Sequence, residues 1–209
     1  MALLTRKNII DEVVVRLGVS TTAAFYDDTT FSRWIDEAHQ WAAGYHKWPC
    51  TEGKISTTFT SANVNELDDI VYNYPEGWKQ DSIRYLQIGG KRLQKLTSED
   101  FQRFRESSSS SDDRIYTDFA RQYYINPNID LSGTVSVWGQ YTPADFDTTD
   151  DTVQTVFRET EEGNEAILEM MFSYAKKREK KLPESITHIK EAMRILDELN
   201  GKIQSDQFD

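Results

Sequence analysis

The sequence predicts an α+β protein: a helical bundle built from N- and C-terminal helices, with a β-rich middle insertion. Three observations predict it. Apolar residues recur at spacings of 3 and 4 in the first fifty residues and again beyond residue 160, the period between them falls to 2, and a Gly89-Gly90 pair sits between two short segments that read as hairpin arms. The expected segments are residues 1–50 (N-terminal helices), 51–145 (β-rich middle), 146–200 (C-terminal helices) and 201–209 (a flexible tail).

The first helix is expected to start at Thr5 as N-cap and to stop at Gly18, with Ile9, Ile10, Val13, Val14 and Leu17 on one stripe. A Ser/Thr/Asp-rich loop over 20–30 leads to a second helix, where Phe31, Trp34, Ile35, Ala38, Trp41, Ala42 and Tyr45 share a face. Trp48-Pro49 should end that helix, because the residue before proline disfavours the helical region. From 54 to 141, Ile55, Thr57 and Phe59 alternate with Ser56, Thr58 and Thr60, as strands do. The segments 83–88 and 91–96 read as a hairpin, since Gly89-Gly90 supplies the positive φ angles of a type I′ turn.

Ser98 before Glu99, Asp100 and Phe101 predicts a short capped helix, and the serine run 107–111 with Asp112 and Asp113 a flexible loop. Strands follow over 114–125 and 134–141, separated by Asn126-Pro127 turn chemistry. A helix over about 160–182 buries Ile167, Met170, Met171, Tyr174 and Ala175. Glu159, Glu161 and Glu162 suit its positive end and Lys176, Lys177, Arg178, Lys180 and Lys181 its negative end. Pro183 kinks or restarts it. The last helix carries Ile186, Ile189, Met193 and Leu196 at heptad spacing, with a second stripe of Ala192, Ile195 and Leu199, and Asn200-Gly201 should stop it.

Charge and composition exclude several functions. The 35 acidic against 24 basic residues leave −11, so most of the surface repels nucleic acid, although an acidic wall suits a channel that conducts DNA without holding it. Cys50 is the single cysteine and cannot close an intrachain disulfide. No run approaches the roughly 18 apolar residues of a membrane span, and synthesis in cytoplasm is expected.

Chemistry is hard to find. His39, His46 and His188 pair with no carboxylate or cysteine at a metal-ligand spacing; His39, on the polar side of the second helix, and His188, flanked by Thr187 and Ile189, both read as surface residues. Glu66, Asp68 and Asp69 are candidates for a glycosidase pair, but Asp112-Asp113 and Asp150-Asp151 are equally eligible in so acidic a chain. Tyr72, Tyr74, Tyr123 and Tyr124 read as core or interface rather than a stacking surface, with Trp78 the best exception. The chain is expected to be no enzyme and to need no cofactor or metal.

Several local patterns then line up in order. They are Arg16-Leu17-Gly18, Trp34-Ile35-Asp36-Glu37-Ala38 before Trp48-Pro49, a Thr-rich strand over 56–61, and Ile88-Gly89-Gly90-Lys91. Tyr124-Ile125-Asn126-Pro127, a 135–141 strand running into Thr142-Pro143, and a helix from Asn164-Glu165-Ala166-Ile167 to Ala175 complete the series. In this order they resemble the head-to-tail connector (adaptor) proteins of tailed bacteriophages, including the tail-tubular adaptors of short-tailed phages. The resemblance spans nearly the whole chain, which departs from the shorter members in its long, broken C-terminal helical region and acidic tail. It implies a virion structural protein made in the host cytoplasm, a homo-oligomeric ring, commonly a dodecamer, that binds the portal and tail proteins. Such a ring continues the DNA channel without sequence-specific contact and meets no membrane. Through the family it also implies a partner-binding tail, carried here by Gln207 and Phe208. The competing expectation is a tail-associated receptor- or carbohydrate-binding module that uses the aromatic middle region.

Overall fold

A computed structural model describes residues 3, 5–20, 22–23, 25–59, 70–107 and 111–206. Glu66, Asp68, Asp69, Ser108–Ser110, Gln207 and Phe208 lie outside the described residues. Among the described residues the chain is α+β: five α-helices, two four-stranded sheets and a two-stranded ribbon. It divides into two compact units, one made of 1–51 with 142–209 and the other of 52–141.

In the helix-rich unit, α1 (Arg6–Leu17) is capped by Thr5, whose side chain accepts from the Asn8 N–H at 3.2 Å, and ends at Gly18 with φ 63°. Ile9 and Val13 are fully buried from it. The loop expected over 20–30 contains a short ribbon of β1 (Thr22–Ala23) and β2 (Tyr26–Asp27). Asp27 then caps α2 (Asp28–Tyr45), accepting from the Thr30 N–H at 2.7 Å. Those hydrogen bonds hold its carboxyl below the usual carboxylate range. α2 buries Phe31, Trp34, Ile35, Ala38 and Ala42, and the buried Trp48 closes its end by donating its indole N–H to the Ala42 carbonyl at 2.8 Å.

α4 (Glu161–Arg178) packs against α1, α2 and α5 (Leu182–Asp206), which is why it is buried around most of its circumference. It stops four residues short of the expected 182, with a left-handed Lys180 (φ 62°) turning the chain. The reason is local. Arg178 folds over the rings of Phe25 (4.7 Å) and Trp34 (5.9 Å) and donates to Thr30, while Glu179 accepts the Tyr26 hydroxyl at 2.6 Å. Pro183 falls in the first turn of α5, where a missing N–H costs nothing.

α5 does not stop at Asn200-Gly201, and residues 201–206 are helix rather than flexible tail. A mid-helix glycine costs about 1 kcal/mol. Ile203 packing on the core offsets it, and Lys202 pairs with Glu162 at 2.9 Å on the exposed side.

The returning segment, 142–160, is fastened to α2 by residues at i, i+3 and i+4. Asp36 accepts the Phe146 N–H at 3.0 Å, His39 Nε2 accepts the Val156 N–H at 3.0 Å, and Gln40 donates to Asp145 at 2.7 Å. His39 is therefore buried, 3% exposed, and not on a polar surface. Phe146, Val153, Val156 and Phe157 supply the cover with no helical period to announce it.

The second unit holds β3 (Glu52–Thr58), β4 (Ile70–Asn73), β5 (Tyr85–Ile88), β6 (Lys91–Arg92), β7 (Gln94–Lys95), α3 (Ser98–Ser107), β8 (Ile115–Phe119), β9 (Gln122–Ile125) and β10 (Thr134–Gln140). The sheet orders are β3-β10-β5-β6 and β4-β9-β8-β7. One core joins them: Leu86, Ile88, Val135 and Val137 from the first sheet with Ile70, Tyr72, Tyr123 and Ile125 from the second. Trp78 belongs to this core. It lies so close to Gly139 that a Cβ there would sit 2.5 Å from the indole, so position 139 admits only glycine without rearrangement.

Gly89 and Gly90, with φ 55° and 79°, make the expected tight turn and pair Ile88 with Lys91. The second arm then leaves. After the Leu93 N–H bonds the Leu86 carbonyl, Gln94–Lys95 runs parallel to Ile115–Tyr116 in the other sheet. α3 is capped by Thr97 rather than Ser98, with Thr97 Oγ1 accepting the Asp100 N–H at 3.1 Å. Asn126 is fully buried and donates to the carbonyls of Ser111 and Asp113 at 2.9 Å each.

The single strand expected over 114–125 is two strands, β8 and β9, joined by Ala120-Arg121 with φ 52° and 62°. This is a type I′ geometry carried by residues that resist it. Ala120→Asn with Arg121→Gly is expected to stabilise the unit by about 1 kcal/mol. Urea unfolding checks this; an unchanged or lowered midpoint would mean the turn is relaxed as it stands.

Candidate functional site

Catalytic groups do not converge among the described residues. Asp147 and Asp150 each accept from the backbone N–H and hydroxyl of the threonine two residues on, a loop-closing arrangement that lowers both carboxyl pKa values. Asp112 and Asp113 flank the Asn126-bound turn. His46 meets Asp197 at 2.9 Å and His188 meets Glu169 at 2.7 Å, each tying α5 to a neighbouring helix. No group of three His, Cys, Asp or Glu side chains could hold a metal among the described residues. No described helix is long and apolar enough to cross a membrane.

The aromatic residues singled out in the sequence are mostly interior. Tyr72 stacks on Tyr123 at 5.2 Å, and Tyr74 donates to Asp118 at 2.6 Å. Asp118 also binds Lys95 at 2.6 Å, and the buried Tyr116 hydroxyl has no partner among the described residues. Burial pushes the Tyr74 and Tyr116 phenols far up, so both stay neutral hydrogen-bonding groups rather than bases or nucleophiles.

Two surfaces remain. On α5, Ala192, Ile195, Leu196 and Leu199 are buried, whereas Leu182, Ile186 and Met193 are 57%, 52% and 38% exposed in one apolar row. On the outer face of the β3-β10-β5-β6 sheet, four neighbouring strands contribute one side chain each to a second row. Lys54 Nζ lies 4.8 Å over the Trp138 ring, Trp138 meets Tyr85 edge to face at 4.8 Å, and Arg92 lies 4.9 Å over Tyr85. Ser56, Ser136 and Gln87 continue this face, the serine hydroxyls 3.1 Å apart and Gln87 accepting from the Tyr85 hydroxyl at 3.2 Å.

Sequence reasoning missed this second row. Trp138 is out of phase with Val135 and Val137, and Tyr85 with Leu86 and Ile88, so alternation alone marks both as facing outward. Their alignment with Lys54 and Arg92 depends on cross-strand register, which no local pattern carries. No family model and no curated protein matches the chain.

Proposed function

We propose that the chain is a head-to-tail connector subunit of a tailed phage. In this reading α1, α2, α4 and α5 form a helical bundle that carries the β-rich unit as an insertion. The protein works as a homo-oligomeric ring, a dodecamer, between portal and tail, and it is a structural virion component rather than an enzyme. The observation that carries the reading is the uncovered row Leu182, Ile186 and Met193 on a helix whose other stripe is already buried. A subunit that packs inward and sideways at once needs such a helix. The net charge of −11 supports a conduit that a polyanion crosses without sticking.

Light scattering and negative-stain microscopy of the chain, alone and mixed with isolated portal rings, test the proposal. A ring in either sample is the expected result, and a monomer that ignores portals would overturn it. Ile186→Lys with Met193→Lys is expected to abolish the ring while leaving the folded monomer, since both side chains are exposed. Docking of Gln207 and Phe208 to the portal belongs to the same proposal. Its test is removal of residues 207–209 only, because Lys202 and Ile203 hold α5 to its unit.

A further inference from the structure

We propose that the outer face of the β3-β10-β5-β6 sheet is a binding site for an acidic, carboxylate-bearing polysaccharide, a role independent of ring formation. In a chain with eleven excess negative charges, neither Lys54 nor Arg92 meets a carboxylate among the described residues; each is held over an aromatic ring instead. Arg84, close by, is neutralised by Glu52. Lys54 and Arg92 sit on the first and fourth strands of the sheet, two residues out of line, so their stems stand roughly 16 Å apart while their charged ends fold inward over the two central rings. Two ring-held cations with no carboxylate partner among the described residues complement an extended ligand with repeated negative charge.

The groups between the cations select the kind of anion. Ring contacts pin Lys54 on Trp138 and Arg92 on Tyr85, so those ring faces are taken and a nucleobase has no free platform on which to stack. What stays available is polar and short: the exposed Ser56 hydroxyl, which the buried Ser136 backs at 3.1 Å, and the Gln87 amide. These suit the hydroxyl groups of a sugar, while the guanidinium of Arg92 can take a carboxylate in a two-pronged bond.

The test is isothermal titration of the whole chain with oligogalacturonate and oligosialic acid. The neutral methyl ester of the first and an oligothymidylate of equal charge serve as comparisons. Saturable binding of at least one acidic oligosaccharide is expected, weakened at least tenfold by esterification and by Lys54→Gln with Arg92→Gln, at an unchanged melting temperature. Failure of both oligosaccharides to bind, undiminished binding by the double variant, or equally tight binding of the oligothymidylate would each overturn the proposal.

Discussion

Gly163→Ala is expected to destabilise the helix-rich unit by about 2 to 3 kcal/mol, although alanine in place of a helical glycine ordinarily gains about 1 kcal/mol. A Cβ at 163 would lie 2.3 Å from Phe157 Cγ, 2.4 Å from its Cδ1 and 2.7 Å from its Cβ. The obstruction is the root of the phenylalanine, not a mobile end. Phe157 cannot swing away, because it is buried and its ring abuts Trp48 at 5.5 Å and 82°. The neighbouring Asn164, fully buried, donates to the Phe157 and Thr160 carbonyls and so fixes the backbone that carries the ring. Urea unfolding of the single variant and of Gly163→Ala in a Phe157→Ala background separates the causes. In that background the alanine should become neutral or favourable. A penalty that persists without the phenylalanine ring would rule out this clash as its source.

Acidification should cost the protein on the order of 3 kcal/mol through His39 alone. Its Nε2 accepts the Val156 N–H, so the proton sits on Nδ1, which is buried without a partner among the described residues, and the ring lies on Phe146 at 4.6 Å. Burial pulls the imidazole pKa down to about 4, against about 6.5 for an exposed histidine. Between those values the unfolded chain binds a proton that the folded chain refuses, so stability is full above about pH 6.5 and falls as pH drops toward 4. Asp36, whose carboxyl is pushed up mainly by burial, works in the opposite direction, which makes the difference between two proteins the proper readout. His39→Gln keeps an acceptor for Val156 and cannot charge. Wild type should lose on the order of 2 kcal/mol or more over the variant between pH 7 and pH 4.5 in urea titrations. Parallel losses would show that His39 is not the group that titrates.

Legibility followed the range of the interaction. Thr5, Gly18 and the period of α2 act within a turn or two, so α1 and α2 could be placed from sequence, as could the Gly89-Gly90 turn. Ala120-Arg121 carries no turn signal because the fold imposes its backbone there, and Leu93, where one arm changes sheets, looks like any strand residue. Gly201 reads as a helix stop, but tertiary packing through Ile203 and Lys202 overrides the local preference. His39 reads as polar surface until a segment more than a hundred residues later covers it. The outer sheet row is the extreme case, since Lys54, Tyr85, Arg92 and Trp138 gain meaning only through register.

The division of the helix-rich unit into 1–51 and 142–209 sets the order of events during synthesis. α1 and α2 leave the ribosome with Phe31, Trp34 and Ile35 uncovered, and the surface that buries them is α4, which ends at Arg178. At 5 to 20 residues per second the wait from residue 51 is roughly 6 to 25 s. The β-rich stretch is contiguous and complete well before then, so it can fold first and bring residues 51 and 142 into place. Until α4 emerges, the apolar face of α2 stays without the surface that buries it.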